Sequence, residues 1–327
     1  MSNRSVKAGL ALADVMAHCG GSPVSAVEFL GGAIADSPAA PEPYAALDAL
    51  WADRRAELEA GLAQGGSWGT VPAQAYFSFL DGRMDDAVMI LGSLTGARPD
   101  VAWSAAPWFG DPRFLGQVGA EALAEACLRV LDPGHSLDDE ATRERFEPWF
   151  HALDVVSARV PVPESLAAMS RLPRACGRYD LALALCDRAD AVEPVMWTAV
   201  ARGTLWRVRG DLEQAAQSYE AALRLEPGNW SLYLDLADLR ADQGDFAAAV
   251  TLVERGLEQE PGEITLRAAG AAYRARLSGS AGDLEALIGL VPELPNPHYG
   301  RQLLDCACAG PGLPKGLVRE ARRVREG

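Results

Sequence analysis

The chain has 327 residues, enough to bury a large core, and 49% of them are apolar. Its formal net charge is −15, so it repels phosphate backbones, and this argues against a general role in nucleic-acid binding. No apolar run approaches the roughly 18 residues that a membrane-spanning helix needs.

The N-terminal residues and the cysteines indicate the compartment. Asp14 and His18 interrupt the first apolar run too early for a secretory signal. The six cysteines are scattered without a Cys-x-x-Cys pair, and they fit no usual zinc-ligand spacing. We therefore expect an acidic cytoplasmic protein that uses no cofactor or metal and binds neither nucleic acid nor membrane.

One pattern of five positions, separated by 5, 4, 3 and 5 residues, recurs along the chain and ends each time in proline. It predicts paired helices, because small residues let two helices approach, large ones fill the gap, and proline stops the second helix. The occurrences begin at Gly21, Gly82, Gly177, Gly210 and Gly244 and end at Pro38, Pro99, Pro194, Pro227 and Pro261. The last two lie 34 residues apart, a period typical of helical arrays.

Further helices are predicted outside this pattern. Apolar residues at helical intervals predict one over 44–64. Residues 100–160 break the pattern, because a turn-rich passage with Trp103, Trp108, Phe109 and Phe114 occurs there. Pro173 lies in the first helix of the unit that follows and is expected to kink or shorten it. The remaining predicted helices lie near 119–131, 138–158, 283–290, 298–308 and 315–325.

Residues 196–263 resemble two tetratricopeptide repeats. The first repeat matches at Gly203, Trp206, Ala215, Tyr219, Ala222 and Pro227. The second matches at Tyr233, Leu236, Ala237, Gly244, Ala249 and Pro261, and it departs from the family pattern at Arg240, Val253 and Gly256. Residues 163–195 also match, and 7–40, 68–99 and 263–290 match in part.

The resemblance implies an all-α fold, a right-handed α-solenoid of stacked antiparallel helix pairs with an irregular aromatic-rich break in the middle. We expect four segments. They are divergent N-terminal helix pairs in 1–100, an aromatic-rich helical insertion in 101–162, a repeat array in 163–295 and capping helices in 296–327. The family also implies a binding scaffold with a concave groove, lined by the first helix of each unit.

Matching positions places a set of charged, polar and apolar side chains in that groove. The candidates are Arg171, Arg174, Trp197, Val200, Thr204, Arg207, Leu234, Asp235, Asp238 and Asp242. The three aspartates share one helix face and, beside the arginines, could select a charged peptide. A solvated charged face is the simpler alternative, because charged surfaces are usual in soluble proteins.

Related domains clamp a C-terminal carboxylate with lysine and asparagine in the groove. The matching positions here hold Val200, Thr204, Leu234 and Asp238, so a carboxylate ligand is not expected. The aromatic passage is either a surface that anchors a partner or a plug that packs where the repeat fails. We favour the plug, because contiguous exposed aromatic patches are uncommon.

These observations predict a non-enzymatic scaffold that binds a protein or peptide partner in its groove, in an adaptor or assembly role; a homo-oligomer is compatible with them. The alternative is an enzyme or small-molecule sensor with a pocket in residues 100–160, using Asp111, Arg113, Glu147 and His151. The sequence Gly-Gly-Ser-Trp-Gly at 65–69 fits the hydrolase motif Gly-x-Ser-x-Gly. That motif needs a preceding strand, whereas a helix is predicted here.

Overall fold

The computed structural model describes residues 11–63, 65, 67–131, 137 and 140–326. They divide into two compact units, 1–194 and 195–327. No strand occurs in these described ranges, and the predicted all-α class is confirmed. Within them, no helix is both long and apolar enough to cross a membrane.

The first unit contains twelve α-helices among its described residues. They are α1 (Leu12–His18), α2 (Pro23–Asp36), α3 (Pro41–Ala63), α4 (Val71–Leu80), α5 (Met84–Ala97), α6 (Pro112–Gln117), α7 (Ala120–Val130), α8 (Glu140–Arg145), α9 (Glu147–Arg159), α10 (Pro163–Met169), α11 (Arg171–Ala175) and α12 (Tyr179–Val192). Each helix in the order α2, α4, α5, α7, α10 and α12 packs against the next. Helix α7 therefore connects α5, before the irregular segment, with α10, after it.

The second unit contains eight α-helices in its described part. They are α13 (Met196–Arg209), α14 (Leu212–Leu225), α15 (Trp230–Asp242), α16 (Phe246–Gln259), α17 (Ile264–Ser278), α18 (Ala281–Leu290), α19 (Pro297–Cys308) and α20 (Lys315–Glu326). The pairs α13–α14 and α15–α16 make the most extensive contacts, and α17 packs against both α18 and α19.

The repeated Gly-Asp dipeptide explains how each helix pair turns. Gly210 and Gly244 end α13 and α15 with φ of +82° and +81°, a left-handed conformation that favours glycine. The aspartate that follows caps the next helix: Asp211 Oδ1 accepts from the Gln214 N–H at 3.1 Å, and Asp245 Oδ1 accepts from the Ala248 N–H at 3.0 Å. The other pattern glycines, Gly21, Gly82 and Gly177, also have positive φ.

The predicted close approach of small and large residues is confirmed within the α13–α14 pair. A Cβ atom placed on Gly203 would lie 2.8 Å from a ring carbon of Tyr219, so no side chain fits between them. Tyr219 is 2% exposed. The small residue and the large one therefore act as a matched pair.

Two predicted helices differ in detail. The helix expected over 44–64 begins at Pro41 and is kinked at Arg54, whose φ of −128° is not helical. The helix expected near 138–158 is divided into α8 and α9, and its first two residues lie outside the described residues. Pro148 lacks an N–H, so it cannot extend α8 into α9.

Pro173 shortens its helix, as predicted. Without an N–H it cannot bond to the carbonyl of Met169, and the segment is divided there into α10 and α11.

The neighbouring glycines of α2 offer a matched test of helix packing. A Cβ on Gly31 would lie 1.9 Å from the carbonyl oxygen of Gly69, whereas a Cβ on Gly32 meets nothing within 4 Å. We expect Gly31→Ala to lower the free energy of unfolding by about 1–3 kcal/mol, because backbone must move. Gly32→Ala should raise it by about 0.5–1 kcal/mol through helix propensity. Urea denaturation measures both, and equal shifts would contradict the close approach of α2 to Gly69.

Candidate functional site

The predicted groove residues are divided between the two units. Arg171 and Arg174 belong to α11 of the first unit, where Arg171 is exposed and Arg174 half-buried. The other eight belong to α13 and α15 of the second unit.

The apolar candidates of the second unit mostly serve packing. Val200 and Leu234 are half-buried and pack against core clusters. Thr204 Oγ1 donates to the Val200 carbonyl at 2.9 Å and lies 3.2 Å from the Tyr219 hydroxyl. Trp197 is 57% exposed. Trp197 is thus the apolar candidate most accessible to a partner.

A cavity of about 310 Å³ brings three of the charged candidates together with seven other residues of the unit. It is lined by Arg207, Asp238, Ala241, Asp242, Phe246, Tyr273, Tyr299, Gln302, Leu303 and Cys306. These residues come from α13, α15, α16, α17 and α19, so the first helix of every pair in the unit contributes to one concave surface.

Arg207 and Asp242 form an ion pair at the wall of this cavity. Arg207 Nε and Nη2 both approach Asp242 Oδ2, at 2.7 and 2.6 Å. The Asp242 side chain is 46% exposed, so the pair lies at the surface and is worth at most about 1 kcal/mol. The pair joins α13 to α15.

Asp238 has a different environment from Asp242, although it lies one turn away on α15. Its Oδ1 accepts hydrogen bonds from two hydroxyls, that of Tyr273 and, at 2.7 Å, that of Tyr299. Burial raises the pKa of the Asp238 carboxyl, and the two hydrogen bonds and Arg207 act in the opposite direction. The predicted alternative, a solvated helix face, therefore does not describe Asp238.

Asp235, one turn before Asp238, lies close to the same charges. Burial raises its pKa to about 7, the negative charge of Asp238 adds to this effect, and Arg207 opposes it. Among the described residues it has neither a hydrogen bond nor an ion pair. Asp235 is thus a half-buried carboxyl that Arg207 influences from a distance but that has no bonded partner of its own in the described part of the chain.

Sequence reasoning missed the part of the cavity formed by α17 and α19. Five alanines of α17 are buried, Ala268, Ala269, Ala271, Ala272 and Ala275. Such small side chains let neighbouring helices approach closely, and Tyr299 on α19 reaches Asp238, which precedes it by 61 residues. The run of alanines was the available signal in the sequence, but it did not indicate that Tyr299 would reach past α17 to Asp238.

The aromatic passage of the first unit is packed inside the core. Trp103, Trp108, Phe109 and Phe114 are each at most 4% exposed, and the Phe109 ring centroid lies 4.9 Å from that of Trp149. The structure thus favours the plug over an exposed anchoring surface.

The polar residues of the same segment have structural contacts. Asp111 Oδ1 caps α6 by accepting from the Arg113 N–H at 2.7 Å, and the Arg113 guanidinium lies 5.3 Å from the Phe79 ring centroid. Glu147 pairs with Arg178 at 2.7 Å, and His151 is exposed. Helix α3 precedes Ser67, as expected, and Gly66 of the hydrolase-like motif lies outside the described residues.

A family model described as "Tetratricopeptide repeat" matches residues 209–273. The match spans α14, α15 and α16 and reaches into α17, and of these helices α15, α16 and α17 line the cavity. No curated protein matches the chain.

Solved structures that are similar to the chain include the following three repeat proteins. A thermophilic tetratricopeptide repeat protein of Thermus thermophilus is 20% identical over 62% of this chain and 96% of its own, with a TM-score of 0.39. A tetratricopeptide repeat protein of Parabacteroides merdae is 14% identical over 98% and 100%, with a TM-score of 0.39. PilF of Pseudomonas aeruginosa is 16% identical over 74% and 97%, with a TM-score of 0.40.

Proposed function

We propose, from the premise that this chain carries tetratricopeptide repeats, that it is a non-enzymatic scaffold whose second unit binds a protein or peptide partner. The partner binds the concave surface formed by α13, α15, α17 and α19, and the protein acts as an adaptor or assembly factor. A repeat array suits this role, because stacking of helix pairs creates an extended concave surface without a catalytic centre.

The observation that supports this proposal most directly is the cavity of about 310 Å³. Charged and aromatic side chains converge on it from positions that extend from Arg207 to Cys306, almost 100 residues apart in sequence. Polar groups that converge on a concave surface are a general property of binding sites. Arg171 and Arg174 remain candidates for a separate contact of the first unit.

Charge reversal at Asp242 tests the proposal. Asp242→Lys should reduce recovery of a specific partner by about tenfold or more in affinity purification from the native host. The reason is that the lysine adds a positive charge beside Arg207 and so reverses the charge that this wall of the cavity presents to the partner. Asp242 is better suited than Asp238 for this purpose, since Asp238 holds two tyrosine hydroxyls. Quantitative mass spectrometry of the co-purified proteins provides the measurement.

Glu254→Lys is the matched control, because Glu254 is an exposed acid of α16 that does not line the cavity. It should recover the same partner as the wild-type protein does, and circular dichroism should show that both variants are folded. If every co-purifying protein were recovered equally with Asp242→Lys and with wild type, binding at this concave surface would be excluded.

A further inference from the structure

We propose that the cavity between α13, α15, α17 and α19 receives one arginine side chain of the partner. This assignment rests on the proposed function and names the chemistry that the site recognises. A guanidinium is planar, always charged and has five N–H donors, so it suits a site that offers several oxygen acceptors and unbalanced negative charge.

The cavity offers acceptor atoms that the protein itself leaves unused. Both tyrosine hydroxyls bind Asp238 through Oδ1, and Arg207 binds Asp242 through Oδ2. Among the described residues, Asp238 Oδ2 and Asp242 Oδ1 therefore accept no hydrogen bond. The hydroxyls of Tyr273 and Tyr299 donate to Asp238 and also interact with each other, so the two carboxylate oxygens are the acceptors left for a ligand.

The balance of charge around the cavity favours a cation over an anion. Asp235, Asp238 and Asp242 lie on one face of α15, and Arg207 is already bound by Asp242. The guanidinium carbon of Arg276, which does not line the cavity, lies 5.0 Å from the Phe246 ring centroid. Among the lining residues, one cation, Arg207, faces two carboxylates, those of Asp238 and Asp242. When both carboxylates are ionised, one negative charge is left, and an entering guanidinium would neutralise it.

The size and the composition of the cavity narrow the ligand further. A volume of about 310 Å³ is enough for one long side chain and too little for a helix. The described residues contain no group of three or more His, Cys, Asp or Glu side chains arranged to hold a metal ion. An organic cation with several donors is therefore the ligand that fits.

Binding of short peptides to the full chain tests the assignment. The probe is N-acetyl-Ala-Arg-Ala-amide, and the matched neutral probe carries citrulline, which has the shape of arginine without its charge. NMR titration should give a dissociation constant on the order of 1 mM for the arginine peptide and at least about tenfold weaker binding of the citrulline and lysine peptides. Asp242→Asn should weaken the arginine peptide by about tenfold, whereas Glu254→Gln should leave it unchanged.

A variant that fills the cavity without altering charge separates local binding from general acidity. Gln302 is exposed and lines the cavity, so Gln302→Trp should keep the fold and abolish arginine binding. The assignment would be overturned if the citrulline or the lysine peptide bound as tightly as the arginine peptide. It would also be overturned if Gln302→Trp bound the arginine peptide as tightly as the wild-type protein does.

The two proposals can fail separately. If the arginine peptide binds the cavity but Asp242→Lys recovers every cellular partner, the arginine site stands and the partner-binding surface lies elsewhere. If partner recovery depends on Asp242 but the arginine and citrulline peptides bind alike, the assignment of arginine is overturned while the scaffold function stands.

Discussion

Replacing Trp149 with alanine is expected to lower the free energy of unfolding of the first unit by about 3–5 kcal/mol. Trp149 is fully buried in α9, and its ring packs against Phe109 from the aromatic passage. Its indole N–H has no hydrogen-bond partner in the part of the chain that the structure describes, so the loss reflects packing and the cavity left behind. Urea unfolding followed by circular dichroism should show the transition of this unit at lower denaturant concentration.

Two further variants isolate the packing contribution. Trp149→Phe keeps an aromatic ring and removes the buried unpaired donor, so it should cost far less than the alanine variant. Trp68→Ala, at a position 54% exposed in the same unit, should change the stability by less than about 1 kcal/mol. If Trp149→Ala and Trp68→Ala behaved alike, the aromatic passage would not be the core plug described above.

The repeat pattern predicted most of the local structure because each of its positions has a single physical task. Gly210 and Gly244 supply a left-handed turn, Asp211 and Asp245 cap the next helix, and Gly203 accommodates Tyr219. These tasks involve residues at most 16 positions apart within one helix pair, a distance that the 34-residue pattern covers. The four-segment division remains a prediction, and the boundary between the two compact units falls at 194/195, inside the predicted array.

The candidate site was harder to predict because it depends on contacts between distant helices. The pattern correctly placed Asp235, Asp238 and Asp242 on one helix, α15. It could not indicate that Asp238 would bind Tyr273 and Tyr299, since the second bond requires α19 to pack across α17. Whether the ten groove candidates contact a partner stays a prediction, which the Asp242→Lys experiment addresses for the second unit.

Replacing Asp235 with asparagine is expected to change the pH dependence of stability in the second unit. The folded-state pKa of Asp235 is raised to about 7 by burial, well above the value of about 3.9 for an unfolded aspartate. Folding therefore takes up a proton between these values. The contribution of Asp235 to the free energy of unfolding should be largest below about pH 4, fall as pH rises to about 7, and remain low above that.

Asparagine has a similar shape without the titrating charge, so Asp235→Asn should flatten this decrease. It should also stabilise the protein at pH 8 by about 2 kcal/mol, which is less than the full pKa shift implies because the side chain is partly in contact with solvent. Asp238, whose pKa burial also raises, should leave a residual slope. Urea unfolding at pH values from 4 to 8 measures the effect, with Glu254→Gln as the control. If the free energy of unfolding changed with pH in the same way for Asp235→Asn and wild type, the prediction would be wrong. Such a result would show that the folded protein ionises Asp235 as easily as the unfolded chain does, since only a shifted pKa makes stability depend on pH.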